Sequence, residues 1–344
     1  MKRSRATATA TAVAALIVAL AALLSGCGEK SEAVTGAAGS TQPFTLMLDW
    51  VPNADHAGIY QALADRDFAK AGLDVHVQIP SDPASPLKLL AAGKVDAAIS
   101  YEPEVLLARN QNLPLVSVAA LVQEPLTSIV SVGSKHITSP AKLKGKRIGT
   151  AGISYQHAYL TTILAHAGVP ESSVKEINVG VNLVPAMLSG RVDATLGAYW
   201  NVEAIQLAQL HKHPNVIHME QVGVPDYDEL VVVVRRDTII KHPDVVRRFV
   251  QALARGYEAV RRNPQEAVNN LVHASSGLDP KLQLASVKAT LPAFFPTNPS
   301  TPWGWQDPKQ WTAYGQWMLS HHLISNPNAV IDASTNELLA GQGL

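Results

Sequence analysis

The chain has 344 residues, 28 Lys plus Arg against 28 Asp plus Glu, and a single cysteine. That balance leaves no basic surplus to hold a nucleic acid, and one cysteine forms neither an internal disulfide nor a thiolate cluster. The length exceeds what one ordinary core covers and predicts two domains.

At the start, Lys2, Arg3 and Arg5 precede an apolar run over 11–24 that ends in Leu24-Ser25-Gly26-Cys27. A basic start, a short apolar stretch and small residues read as a secretory signal over 1–26. The run, at roughly 14 residues, falls short of the roughly 20 that a bilayer-spanning helix needs. The four residues ending on Cys27 resemble a bacterial lipoprotein signal, which implies cleavage before Cys27 and lipidation of it. Residues 27–44 are small and polar and predict a flexible tether from membrane to folded body.

From Thr45 strand-like and helix-like segments alternate: strands at 45–50, 75–79 and 95–100, helices at 56–71 and 85–93. Such alternation predicts an α/β fold with largely parallel sheets. The segment LLAAGKVDAAIS (89–100) is echoed by AMLSGRVDATLG (186–197), with Gly93, Val95, Asp96 and Ala97 recurring as Gly190, Val192, Asp193 and Ala194. The spacing is too long for a solenoid repeat and suits two similar lobes. Both echo strands run into aromatic and acidic residues, YEPE (101–104) and AYWNVE (198–203), where open α/β sheets bind ligands.

A basic turn, KLKGKRIGT (142–150), opens the second lobe, and Ser154 is a candidate N-cap whose neighbouring N–H groups face the cleft. The apolar strand 230–236 returns the chain to the first lobe, and helical patterns at 242–262 and 264–275 and a Trp-rich segment at 303–317 follow. The expected division is 45–138 plus 232–344 for lobe 1 and 139–231 for lobe 2.

The most unusual local sequence is DWVPNADHAGIY (49–60), at a strand-to-helix junction. Trp50, Asn53, His56 and Tyr60 together offer a stacking face and several hydrogen-bonding groups. Each has a plainer reading beside that one: Asn53 or Asp55 as helix cap, His56 as a packed core histidine, Tyr60 as part of the apolar helix face. Trp50 follows a charged residue at a strand end, where a core tryptophan is less expected.

DWVPNADHAGIY resembles the opening motif of the thiamine-precursor-binding family, relatives of the pyrimidine-phosphate synthases, and AYWNVE resembles that family's second signature. GKVDAAISYEPE and LKGKRIGT fit as well, and the similarity runs across most of 45–260. The resemblance implies a type II periplasmic-binding-protein fold, two α/β lobes with a ligand cleft between them. It implies ligand contacts at Asp49, Trp50, Tyr101 and Glu203, with Tyr199, Trp200 and Asn201 adjacent. A flat aminopyrimidine needs aromatic faces and a carboxylate to receive its amino N–H groups. Glu203 has the plainer alternative of a solvated acid at a helix start, and for Glu102 and Glu104 a capping role is the stronger reading.

The implied role is an extracytoplasmic, lipid-anchored and monomeric solute-binding protein. It serves an ABC permease with its ATP-binding subunits, carries a formylaminopyrimidine-type ligand, and needs no cofactor, metal or catalytic residue. Riboflavin or another heterocycle is the nearest alternative ligand, and a sensor lipoprotein an alternative role. An alkylsulfonate-, nitrate- or taurine-type anion calls for a convergent Arg or Lys; segments 49–60, 101–104, 150–157 and 198–203 contain neither. The enzyme reading draws on the synthase relatives, which use their own histidine, a pyridoxal cofactor, iron and a Cys-rich segment. His56 suits that reading, but no cysteine follows Cys27. His211, His213, His321 and His322 lie outside the cleft segments and read as surface residues.

Overall fold

The computed structural model describes residues 41–343. The signal over 1–26, Cys27 and most of the tether lie outside the described residues. The tether's expected end does fall within them and is too late: Gln42, Pro43 and Phe44 already belong to the first strand, because Phe44 is buried against Phe249 with ring centroids 4.5 Å apart.

Two five-stranded sheets carry the fold. In chain order the strands are β1 (Gln42–Met47), β2 (Leu73–Gln78), β3 (Ala97–Ser100), β4 (Leu115–Val122), β5 (Thr127–Ser131), β6 (Arg147–Thr150), β7 (Lys175–Asn178), β8 (Ala194–Tyr199), β9 (Asn215–His218) and β10 (Leu230–Arg235). The first sheet runs β2-β1-β3-β10-β4 and the second β7-β6-β8-β5-β9. In each, two strands lie parallel to a central one, and the fourth position is an antiparallel strand supplied from beyond a crossing between sheets. Because β10 is sandwiched between β3 and β4, its residues Leu230–Val234 are all buried, as an interior strand's continuous apolar run requires.

The echoed motif has one structural cause in both sheets. Gly93 and Gly190 end their helices at φ +67° and +71°, the left-handed region in which glycine carries no Cβ penalty. Asp96 then accepts the backbone N–H of Thr45 at 2.8 Å, and Asp193 that of Arg147 at 3.0 Å. Each aspartate thus anchors the strand beside its own, β1 in one sheet and β6 in the other. Asp193 also pairs with Lys135 and the Arg147 guanidinium, and those hydrogen bonds hold its carboxyl well below the usual range.

Strand β5 hydrogen-bonds to β8 and β9, so the chain has entered the second sheet by residue 127, ahead of the boundary expected at 139. The antiparallel partner of β8 must come from across the divide, and alternation of predicted elements does not reveal that. The two crossings are tied together by Glu229, whose carboxylate accepts N–H groups of Leu126 and Thr127 at 2.7 and 2.8 Å and hydroxyls of Thr127 and Tyr227 at 2.8 and 3.0 Å.

The helix expected over 56–71 is divided into a short 3-10 turn (Ala54–His56) and helices Ala57–Ala64 and Asp67–Lys70, with Arg66 in the left-handed region between them. Helix Ala57–Ala64 packs on the long helix Pro243–Arg262 at two glycines. A Cβ on Gly256 would lie 2.1 Å from the Gly58 carbonyl oxygen, and one on Gly58 2.3 Å from the Tyr257 ring.

Candidate functional site

The junction after β1 builds one wall of a cavity. Leu48 stays paired to the Gln78 carbonyl, and beyond it the chain turns at Asp49–Pro52. Asn53 caps the following turn: its side-chain oxygen accepts the Asp55 N–H at 2.8 Å, while its own N–H donates to His56 Nδ1 at 3.2 Å. Because Nδ1 accepts, the ring proton sits on Nε2, which donates to Asp49 Oδ1 at 2.8 Å. The other Asp49 oxygen accepts the Tyr101 hydroxyl at 2.8 Å. Burial, with the Asp49 charge beside it, raises the Tyr101 pKa well above the phenol range, so this residue remains a donor.

The opposite wall comes from the second sheet. Tyr199 ends β8, and Glu203 opens the next helix (Glu203–Gln209) with its carboxylate accepting the Tyr199 N–H at 2.7 Å. Part of the Glu203 side chain stays accessible while the carboxyl group itself is enclosed, and that burial pushes its pKa to about 7. Ile153, Tyr155 and Gln156 enter from the start of helix Ser154–His166, and Tyr155 meets Tyr101 across the divide with ring centroids 5.4 Å apart. Leu183, Gly197 and Val202 complete the lining.

Six of the residues singled out in the sequence line this cavity: Asp49, Trp50, Asn53, Tyr101, Tyr199 and Glu203. Trp50 also bridges the halves, packing against a hydrophobic cluster made wholly of residues from the second half as well as the larger one. Among the described residues, no Lys or Arg lines the cavity.

Four expected contacts are placed elsewhere. His56 is fully buried behind Asp49 and orients that carboxylate. Asn201 turns away from the cavity and donates to Asp55 at 2.7 Å and Thr290 at 2.6 Å, joining the segment after β8 to two elements of the first half. Trp200 donates its indole N–H to the Pro125 carbonyl at 3.0 Å, which fixes it at the crossing. Ser154 is exposed and is the first helical residue; Ile153 holds the N-cap position, without a side-chain cap. Glu102 and Glu104 are buried acids that do not cap: Glu102 accepts the Asp228 N–H at 2.8 Å and Glu104 the Ser100 hydroxyl at 3.0 Å. Asp55, enclosed on all sides, is pushed to about 7 by burial, partly offset by His56 and Asn201.

The model of the NMT1/THI5-like family matches residues 53–267. The chain belongs to that family. Among NMT1/THI5-like relatives, the formylaminopyrimidine-binding protein of Halalkalibacterium halodurans is 35% identical over 294 residues, covering 84% of this chain and 88% of its own. A 4-amino-5-hydroxymethyl-2-methylpyrimidine phosphate synthase of Saccharomyces cerevisiae is 24% identical over 315 residues, 88% of this chain and 89% of its own. Among solved structures, the alkanesulfonate-binding protein of Xanthomonas axonopodis pv. citri superposes with a TM-score of 0.67 at 18% identity, covering 86% of this chain and 99% of that one. The fold is the periplasmic-binding-protein fold, and both α/β lobes of the NMT1/THI5-like chain contribute to the cavity described above.

The lining residues that sequence reasoning missed are Ile153, Tyr155, Gln156, Leu183, Gly197 and Val202. Tyr155 and Gln156 stand directly after Ser154, so the segment was identified and the wrong side chain chosen from it.

Proposed function

We propose that this chain is the substrate-binding component of an ABC importer and takes a thiamine-precursor pyrimidine of the formylaminopyrimidine type. One observation carries the reading: carboxylates from opposite lobes, Asp49 and Glu203, line one aromatic cavity to which the described residues contribute no cationic side chain. Carboxylates receive amino N–H groups, and Trp50, Tyr101, Tyr155 and Tyr199 offer faces to a flat ring. The relative from Halalkalibacterium halodurans, named for that ligand, supports it. An alkanesulfonate, the ligand class for which the Xanthomonas neighbour is named, finds no Arg or Lys to meet it.

Ligand contacts to both lobes favour the closed form, and a permease reads the closed shape. The protein acts outside the cytoplasm as a monomer held at the membrane by lipid on Cys27. The tether lets lobe 1 (through β4, resumed at β10) and lobe 2 (β5 to β9) reach the permease. Binding rather than catalysis is favoured by His56, whose two ring nitrogens are both engaged behind Asp49, and by a lining without a lysine to hold pyridoxal as a Schiff base.

A thermal-shift and calorimetric screen of formylaminopyrimidine, thiamine, riboflavin and alkanesulfonates tests this. Stabilisation by formylaminopyrimidine above the others is expected. A response confined to alkanesulfonates contradicts it, and a riboflavin response alone replaces the ligand while leaving the clamp.

A further inference from the structure

Gln156 is 1% exposed and its side-chain oxygen accepts the Ala151 N–H at 2.8 Å. An N–H must meet the oxygen of an amide, so the orientation of this one is set and its amino group faces the other way. There it lies over Gly197, at φ +107°, where a Cβ would sit 2.2 Å from Gln156 Nε2. Gln156 and Gly197 both line the cavity. Among the described residues, no hydrogen bond from Nε2 accompanies the one that its side-chain oxygen accepts.

The two carboxylates of the lining are acceptors, and the Trp50 indole and the Tyr155 and Tyr199 hydroxyls are its other donors. Asp49 is acceptor-only with both oxygens already receiving one bond, and Glu203 accepts whenever it is ionised. The Asn53 amino group reaches the Val51 carbonyl at 3.4 Å. Gln156 adds to these an amide donor whose direction is fixed by the bond from Ala151.

We infer that Gln156 is a specificity-determining residue that donates to an acceptor atom of the ligand, with Gly197 kept bare to admit its amino group. This rests on the function proposed above and narrows it: the ligand is a flat heteroaromatic amine that also presents a ring nitrogen or carbonyl oxygen to the second lobe. A ring of the same shape with C–H at that place leaves a buried amide donor unpaired, and sites built to pair such a group discriminate strongly against ligands that lack the partner.

The test is a binding cycle. Wild type and Gln156→Glu are titrated with formylaminopyrimidine and with three analogues, each lacking one acceptor: either ring nitrogen replaced by C–H, or the formyl carbonyl removed. Glutamate still accepts the Ala151 N–H but supplies no amide donor, and Gln156→Met, which lacks both, serves if the added carboxylate harms folding. Wild type is expected to bind the parent at least tenfold more tightly than one of the analogues, with that preference falling to about onefold in the variants and in Gly197→Ala. Variants that keep the full preference overturn the assignment while the binding function stands. A wild type that binds none of the pyrimidines overturns both.

Discussion

His56 donates to Asp49 across 2.8 Å in a pair that is 0% and 2% exposed, so the histidine acts through the carboxylate and not on the ligand. The same ring accepts the Asn53 N–H, which makes it a brace for the whole turn. His56→Ala orphans a carboxylate oxygen and a backbone N–H, each costing about 1–3 kcal/mol when buried. Lower stability in denaturant unfolding, together with weaker ligand binding, is expected; unchanged affinity contradicts the bracing role.

The acids give a pH signature. Asp55 and Glu203 titrate at about 7 in the folded chain, against ordinary values of 3.8 and 4.5. Between the ordinary values and 7 the folded chain holds protons that the unfolded chain has released. These groups therefore make stability fall as pH rises through that window and add no further slope above it. Each contributes at most about 1.4 kcal/mol per pH unit. Asp55→Asn should flatten the profile measured by urea unfolding between pH 4 and 8. Affinity for an amine ligand runs the other way and increases as Glu203 ionises.

Asn201 holds the two halves together independently of any ligand, through Asp55 and Thr290. Asn201→Ala removes those bonds from the closed form and leaves the cavity lining untouched. Affinity should drop several-fold, and small-angle scattering of the free protein should show a larger radius of gyration; an identical scattering curve argues that the halves are held otherwise.

Much of this was legible in the sequence because its causes are local. The echo of Gly93–Asp96 at Gly190–Asp193 predicted two like sheets, and the helix-ending glycines and strand-anchoring aspartates account for it. The motif at 49–60 predicted a cavity wall. What escaped depends on distant partners. The exchange of β5 and β10 between halves follows from sheet closure, not from any residue in either strand. Asn201 is drawn from the cavity by Asp55 and Thr290, and Trp200 by the Pro125 carbonyl. Gln156 gains its place only because Gly197, far along the chain, lacks a side chain.

The glycine contact behind the cavity makes a further test. Gly256→Ala sets a Cβ against the backbone oxygen of Gly58, which cannot rotate aside. Tyr257, whose hydroxyl donates to the Asp55 carbonyl at 2.6 Å, is the next residue. Overpacking of this kind costs about 1–3 kcal/mol. A lower melting temperature with weaker binding is expected, and a variant as stable as wild type contradicts the close packing.

The most direct test of the central claim is calorimetric titration of formylaminopyrimidine into wild type, Trp50→Ala and Glu203→Gln. Tight binding by wild type, with at least a tenfold loss in each folded variant, is the predicted result. If both variants bind as wild type does, the ligand is not held between Trp50 and Glu203, and the account of this cavity is wrong.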